Sequence, residues 1–187
     1  MKKLALFASH NGSVLETLLD AIEKKELKLE ISLIISNNSN ANVLEKAQKY
    51  NIPYQVLNSK TDKDPDKTLY TLLKEKKIDL ILLAGYMKKI SPLLTQNFFI
   101  LNSHPALLPK YGGKGMYGEN VHKAVIENNE SQSGVTLHRI DEEYDKGAII
   151  LQKKLTLSSE ENVQSLQKKI KELEKSATIE ALKICLK

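Results

Sequence analysis

Short apolar runs alternate with amphipathic stretches along this chain, and that alternation restricts its fold more than any other feature. The run Leu80-Ile81-Leu82-Leu83-Ala84 is apolar at successive rather than alternate positions, so a strand there must be covered on both faces. Runs of this kind predict strands at residues 3–8, 29–36, 54–57, 80–84, 100–103, 134–139 and 149–155, the first five of them parallel. Between them, residues 14–25, 42–50 and 66–77 carry apolar side chains three and four apart, as at Leu15, Leu18, Leu19 and Ile22. That is the spacing of a helix that packs one face on a sheet. The expected fold is therefore α/β: an open, doubly wound, mostly parallel sheet of about seven strands with helices on both faces. Farther on, the chain turns polar and helical through Leu166, Ile170, Leu173 and Ala177, and Ser158 with Glu161 has the spacing of a capping box at its start. One long or two short helices are expected there.

With 187 residues, 41% of them hydrophobic, and no Pro/Gly/Ser-rich linker, one domain over residues 1–187 is expected. The longest mostly apolar run, residues 78–87, contains Asp79. It falls well short of the roughly 20 residues of a membrane span. The charged start and the apolar stretch at residues 4–8 are too short for a signal peptide, so a cytoplasmic protein is expected. A single cysteine, Cys185, excludes an internal disulfide and a multi-cysteine metal site. The net charge of +5 comes from lysines scattered among acidic residues, which suits anionic small molecules better than nucleic acid.

In open α/β sheets ligands bind beyond the carboxyl ends of the strands, which directs attention to residues 9–13, 85–90 and 102–109. Ser9-His10-Asn11-Gly12-Ser13 precedes a helix starting near Val14, so free backbone N–H groups and a helix N-terminus stand at the mouth of the sheet, as a phosphate requires. The same residues also suit a plain turn with a Ser cap. The segment Gly113-Lys114-Gly115-Met116-Tyr117-Gly118 has the spacing of a dinucleotide fingerprint. It follows loop-like sequence rather than an early strand, so that reading is rejected. Asn102-Ser103-His104-Pro105 ends a buried strand, and alternation puts Asn102 and His104 on one side, where an amide donor and an imidazole can converge on one atom. A partner acid is expected nearby, and Asp141, Glu142, Glu143 and Asp145 all qualify by position. His122 and His138 have no second ligand at metal spacing and read as a helix-surface and a strand residue; no metal is expected.

Taken together, residues 9–13, 84–91, 102–109 and 141–147 resemble the phosphoribosylglycinamide formyltransferases, in order and over nearly the whole chain. The Asn-x-His-Pro-x-Leu-Leu-Pro pattern is shared by folate-dependent formyltransferases at large, while the phosphate loop points to the acceptor. The resemblance implies transfer of a formyl group from 10-formyltetrahydrofolate to the amine of glycinamide ribonucleotide, a step of purine synthesis. It implies that Asn102 and His104 are catalytic and that Asp145 is the acid that raises the histidine's pKa. It assigns Asn11, Gly12, Ser13, Val14, Lys171 and Glu174 to the ribonucleotide. Met87, Lys88, Lys89, Ile90, Asn102, Asp141, Glu142, Glu143, Tyr144 and Asp145 are assigned to the folate. Departures from the family pattern are His10 for a common Gly, Val14 for Asn and Lys88 for Arg.

The implied partners are these two small molecules, with no nucleic acid or membrane, and a monomer or weak homodimer. An amino-sugar nucleotide acceptor and a formyltetrahydrofolate hydrolase are the enzyme alternatives. A folate- or nucleotide-binding protein without turnover is the alternative outside enzymes.

Overall fold

The structure, a computed structural model, describes residues 1–187. In chain order its elements are β1 (Lys2–Phe7), α1 (Leu15–Glu23), β2 (Leu29–Ser36), α2 (Asn42–Lys49), β3 (Tyr54–Val56), α3 (Pro65–Glu75), β4 (Leu80–Leu83), α4 (Pro92–Thr95), β5 (Phe99–His104), α5 (Glu119–Glu127), β6 (Gln132–Arg139), β7 (Ile149–Thr156) and α6 (Val163–Cys185). The strands form one seven-stranded sheet in the order β3-β2-β1-β4-β5-β6-β7. The expected strands all form, with ends displaced by one or two residues. The chain makes two compact units, Met1–Leu101 and Asn102–Lys187.

In the first unit β1 pairs in parallel with β2 and β4, and β2 pairs in parallel with β3. Leu4, Leu6, Phe7, Ile34, Ile35, Ile81 and Leu82 are almost wholly buried there. Each such side chain contributes about 1.5–3 kcal/mol on leaving water. The buried residues of α1 are Leu15, Leu18 and Ala21; of the expected stripe, Leu15 and Leu18 are buried, while Leu19 and Ile22 are half-buried. Asp64 caps α3 by accepting the Lys67 N–H at 3.2 Å, and Pro65 fills its first position, where no N–H is needed. The chain steps outward from β1 to β3 and then returns to lay β4 on the other side of β1. Right-handed crossovers then put α1 and α2 on one face and α3 on the opposite one. The strand order thus reverses between β1 and β4, and in open α/β sheets ligands bind beside the loops that follow the strands at such a reversal.

In the second unit β6 and β7 pair antiparallel. The C-terminal stretch is a single helix of 23 residues with Leu166, Ile170, Ala177, Ala181 and Leu182 buried along one stripe. Its capping box is one turn later than expected: Asn162 accepts the Ser165 N–H at 3.0 Å and Ser165 Oγ accepts the Asn162 N–H at 3.0 Å. Ser158 and Glu161 instead form the turn before it, with Glu161 N–H on the Ser158 carbonyl at 3.2 Å. The Glu161 carboxylate is held first by Lys169 and Ser165, with the Ser158 main chain a smaller contribution, and together they keep it below the usual carboxylate range. Among the helices, none is long and apolar enough to cross a membrane.

Candidate active site

In the first unit the loops after β1 and β4 are joined through Ser9. Its N–H donates to the Gly85 carbonyl at 3.2 Å, and its buried hydroxyl accepts the Met87 N–H at 2.7 Å while donating to Asn37 Oδ1. Asn38 Nδ2 donates to the Ser9 carbonyl at 3.2 Å, and Asn58 Nδ2 reaches the Asn37 carbonyl at 2.9 Å. One hydroxyl thus ties together loops from neighbouring strands.

The turn itself depends on Gly12. It has φ +54°, and a Cβ there would stand 2.5 Å from Val43 Cγ2, so both conformation and space require glycine. Gly12 accepts the Leu15 N–H at 3.0 Å and leads through Ser13 and Val14 into α1. Asn11 is exposed and Val14 buried. On the other loop Met87, Lys88 and Lys89 are exposed and Ile90 is buried. Tyr86 packs edge-on against Phe7 with ring centroids 5.3 Å apart, and burial pushes its phenol up to about 12.

The second unit gathers a polar cluster around Asp145. Its Oδ2 lies 3.7 Å from His104 Nδ1 and its Oδ1 lies 3.5 Å from His138 Nε2. Asn102 Nδ2 is 3.1 Å from His138 Nε2. An NH2 group only donates, so His138 accepts at Nε2 and carries its proton on Nδ1, which faces the Arg139 carbonyl at 3.3 Å. One Asn102 N–H is thereby used, and the second remains for another acceptor. Of the four acidic candidates, only Asp145 reaches His104. Asp141 accepts the Glu143 N–H at 2.9 Å within its own loop, and Glu143 pairs with Lys146. Glu142 and Tyr144 each make other contacts.

The chain after β5 is held by β6 and β7. Thr136 Oγ1 donates to the Ala106 carbonyl at 2.7 Å and accepts the Leu108 N–H at 3.0 Å. Gln152 Nε2 donates to the Leu108 carbonyl at 2.8 Å. The segment with dinucleotide spacing does not open a strand-helix unit: Gly118 precedes α5, and Gly113 donates its N–H to Asp145 Oδ2 at 2.8 Å.

The electrostatics of this cluster differ from the expectation in one respect. Asp145 does raise the His104 pKa, as does the hydrogen bond to the Tyr111 carbonyl, but burial outweighs both and holds the imidazole below its ordinary value. His104 is only 3% exposed. His138 is lowered for the same reason, with Asp145 opposing. On α6, burial pushes the Glu174 carboxyl up, while Lys171 is exposed.

His122 is not the helix-surface residue the sequence suggests. It is 4% exposed, between Val121 and Val125 on the buried side of α5, and its Nδ1 has no partner. Burial first, and Lys171 second, push it down to about 4. Between pH 6.5 and 4 the unfolded chain therefore binds a proton at this position that the folded chain refuses, so stability falls as pH falls through that window. The loss is at most about 3 kcal/mol. Melting temperature followed against pH is expected to drop more steeply in the parent than in His122→Gln; parallel curves would assign the acid sensitivity elsewhere.

His138, read from the sequence as a plain strand residue, Gly113, read there only as part of the rejected dinucleotide segment, and Tyr111, which was not singled out, all join the cluster. For His138 a signal existed, since it shares a face of its strand with Thr136; Tyr111 and Gly113 contribute main-chain groups, which the sequence does not mark.

A formyl transferase family model matches residues 2–182. The phosphoribosylglycinamide formyltransferase of Haemophilus influenzae is 36% identical over 179 residues, covering 93% of this chain and 82% of that protein. The chloroplastic phosphoribosylglycinamide formyltransferase of Arabidopsis thaliana is also 36% identical, over 90% of this chain and 60% of that protein. The crystal structure of glycinamide ribonucleotide transformylase 1 from Geobacillus kaustophilus superposes with a TM-score of 0.91 at 31% identity, each chain covered in full. With its seven-stranded sheet and a match that runs almost from end to end, the chain belongs to the formyl transferase family.

Proposed function

We propose that this chain transfers the formyl group of 10-formyltetrahydrofolate to the amine of N1-(5-phosphoribosyl)glycinamide, working as one formyltransferase domain in purine nucleotide synthesis. What carries the reading is the convergence of Asn102, His104 and Asp145 in a chain of this family.

The amine attacks the formyl carbon, and the C–O π pair moves onto oxygen. The resulting tetrahedral intermediate needs donors for its oxyanion. The free N–H of Asn102 is one, and a protonated His104 is the other. Collapse re-forms C=O and breaks the bond to N10 of the folate. The attacking nitrogen loses one proton and N10 gains one, so the protein must carry a proton without consuming it. His104 performs that transfer, and Asp145 favours the imidazolium by opposite charge against the burial that disfavours it.

For binding, the N–H groups of Gly12, Ser13 and Val14 are assigned to the phosphate, with Asn11 beside them, and Lys171 and Glu174 to the rest of the ribonucleotide. Contacts through the main chain tolerate Val14 in place of Asn. Met87, Lys88, Lys89 and Ile90, and the loop of residues 141–145, are assigned to the folate.

The deciding experiment is a spectrophotometric assay of folate conversion with the ribonucleotide, with an amino-sugar nucleotide, and with no acceptor. Conversion that depends on the ribonucleotide is expected. Conversion without acceptor would make the protein a hydrolase, conversion with the amino sugar alone would change the acceptor, and binding without conversion would remove the catalytic assignment.

A further inference from the structure

One contact on His104 is left unused by the formyl-transfer reading: its Nε2 lies 2.7 Å from the carbonyl oxygen of Tyr111. A carbonyl only accepts, so Nε2 must carry a proton in every state of the ring that keeps this bond. In the neutral ring Nδ1 is then bare, and it faces Asp145 Oδ2 at 3.7 Å. A carboxylate also only accepts, so that arrangement becomes favourable when a proton arrives on Nδ1.

The Tyr111 carbonyl does not reach His104 by default. Tyr111 has φ +56°, a left-handed conformation that is costly for any residue with a Cβ, and such strain persists only where the surroundings hold it. What holds it is at the other end of the side chain. The Tyr111 hydroxyl donates to Glu130 Oε1 at 2.8 Å, and Lys110 Nζ lies 2.8 Å from the same oxygen. The next residues close the turn onto the pair from the other side, with Gly113 N–H on Asp145 Oδ2. Gly112 permits the approach, since a Cβ there would stand 3.1 Å from Asp145 Cβ.

From this geometry we infer that Tyr111 is a positioning residue for His104: latched by Glu130, it fixes the proton on Nε2 and makes Nδ1 the nitrogen on which the travelling proton arrives and leaves. The inference rests on the formyl-transfer reading and adds to it which nitrogen moves the proton. The proton taken up at Nδ1 is the one lost by the attacking amine, and the one released there goes to N10, so His104 ends as it began. The charged and titratable groups around His104 are Asp145 on the loop after β6, His138 on β6 and His122 on α5. Only Asp145 faces Nδ1 with a charge that attracts a proton.

The test uses Tyr111→Phe, which keeps the ring and removes the hydroxyl, and Glu130→Leu, which removes its acceptor; Glu130→Gln keeps an acceptor and serves as the conservative control. Nitrogen-15 NMR of labelled histidine reads the His104 tautomer independently of activity. The Nε2–H form is expected in the parent and in Glu130→Gln. A mixture of tautomers is expected in Tyr111→Phe and Glu130→Leu, with kcat about tenfold lower and KM for both substrates unchanged. The double variant is expected to be no worse than either single, because both break one latch. An unchanged tautomer in folded Tyr111→Phe overturns the proposal, whether its activity is kept or is lost through a lower melting temperature. Full turnover in His104→Ala would instead remove the formyl-transfer role of His104 while leaving the tautomer result standing.

Discussion

His104→Ala is expected to lower kcat by about three to four orders of magnitude while both substrates still bind. The imidazole has two duties in the proposed reaction: a donor to the oxyanion and a carrier of the proton from amine to leaving nitrogen. Losing one oxyanion donor costs about 3 kcal/mol, and losing a positioned acid-base group costs about 10²–10⁴ in rate. The two losses overlap in one residue, so their sum is an upper bound. Binding should survive because His104 is 3% exposed and so offers little surface to either ligand. Single-turnover kinetics with equilibrium titration of each substrate separates the two quantities. A kcat within tenfold of the parent would refute the assignment.

The second large effect is expected from Asp145→Asn, with kcat at neutral pH about a hundredfold lower. The amide is nearly the same shape and can still accept the Gly113 N–H, so the loop is retained and the charge alone is removed. The direction of the pH effect follows from the opposing causes at His104. Burial lowers its pKa and Asp145 raises it, so without the carboxylate the lowering is unopposed except by the Tyr111 carbonyl. The His104 titration must move to lower pH, and His138, which Asp145 also raises, must move with it. Proton NMR of the two imidazoles reads both shifts. Midpoints that stay in place would show that Asp145 does not act on either ring.

The strands were legible because this sheet leaves a plain mark. Leu80–Leu83 is buried at every position, and no amphipathic helix has that pattern. Asn102 and His104 were legible for a related reason: polar side chains at the end of a buried strand have no packing role. Caps were less so. Ser158-x-x-Glu161 and Asn162-x-x-Ser165 both offer cap chemistry within one turn, and the choice fell to where the apolar stripe of α6 begins, at Leu166. Choosing Asp145 among four neighbouring acids needed the resemblance, because what sets it apart is a backbone turn with φ +56° that local composition does not encode. His122 was misread because the sequence around it is polar enough for a surface helix, while its actual neighbours are Val121 and Val125 on the buried side. The Tyr111 carbonyl was invisible, since every residue has one and only the fold decides which is aimed at an imidazole.

The Ser9 hydroxyl sets a limit on how this scaffold can be re-engineered. Because it accepts the Met87 N–H and donates to Asn37, the loops after β1, β2 and β4 share one buried fastening and are not interchangeable modules. Grafting a foreign loop after β1 would disturb the segment after β4 as well, unless the transplant carries Ser9 and the recipient keeps an amide at position 37. Libraries built on this fold therefore gain more from varying these loops jointly than from varying them one at a time.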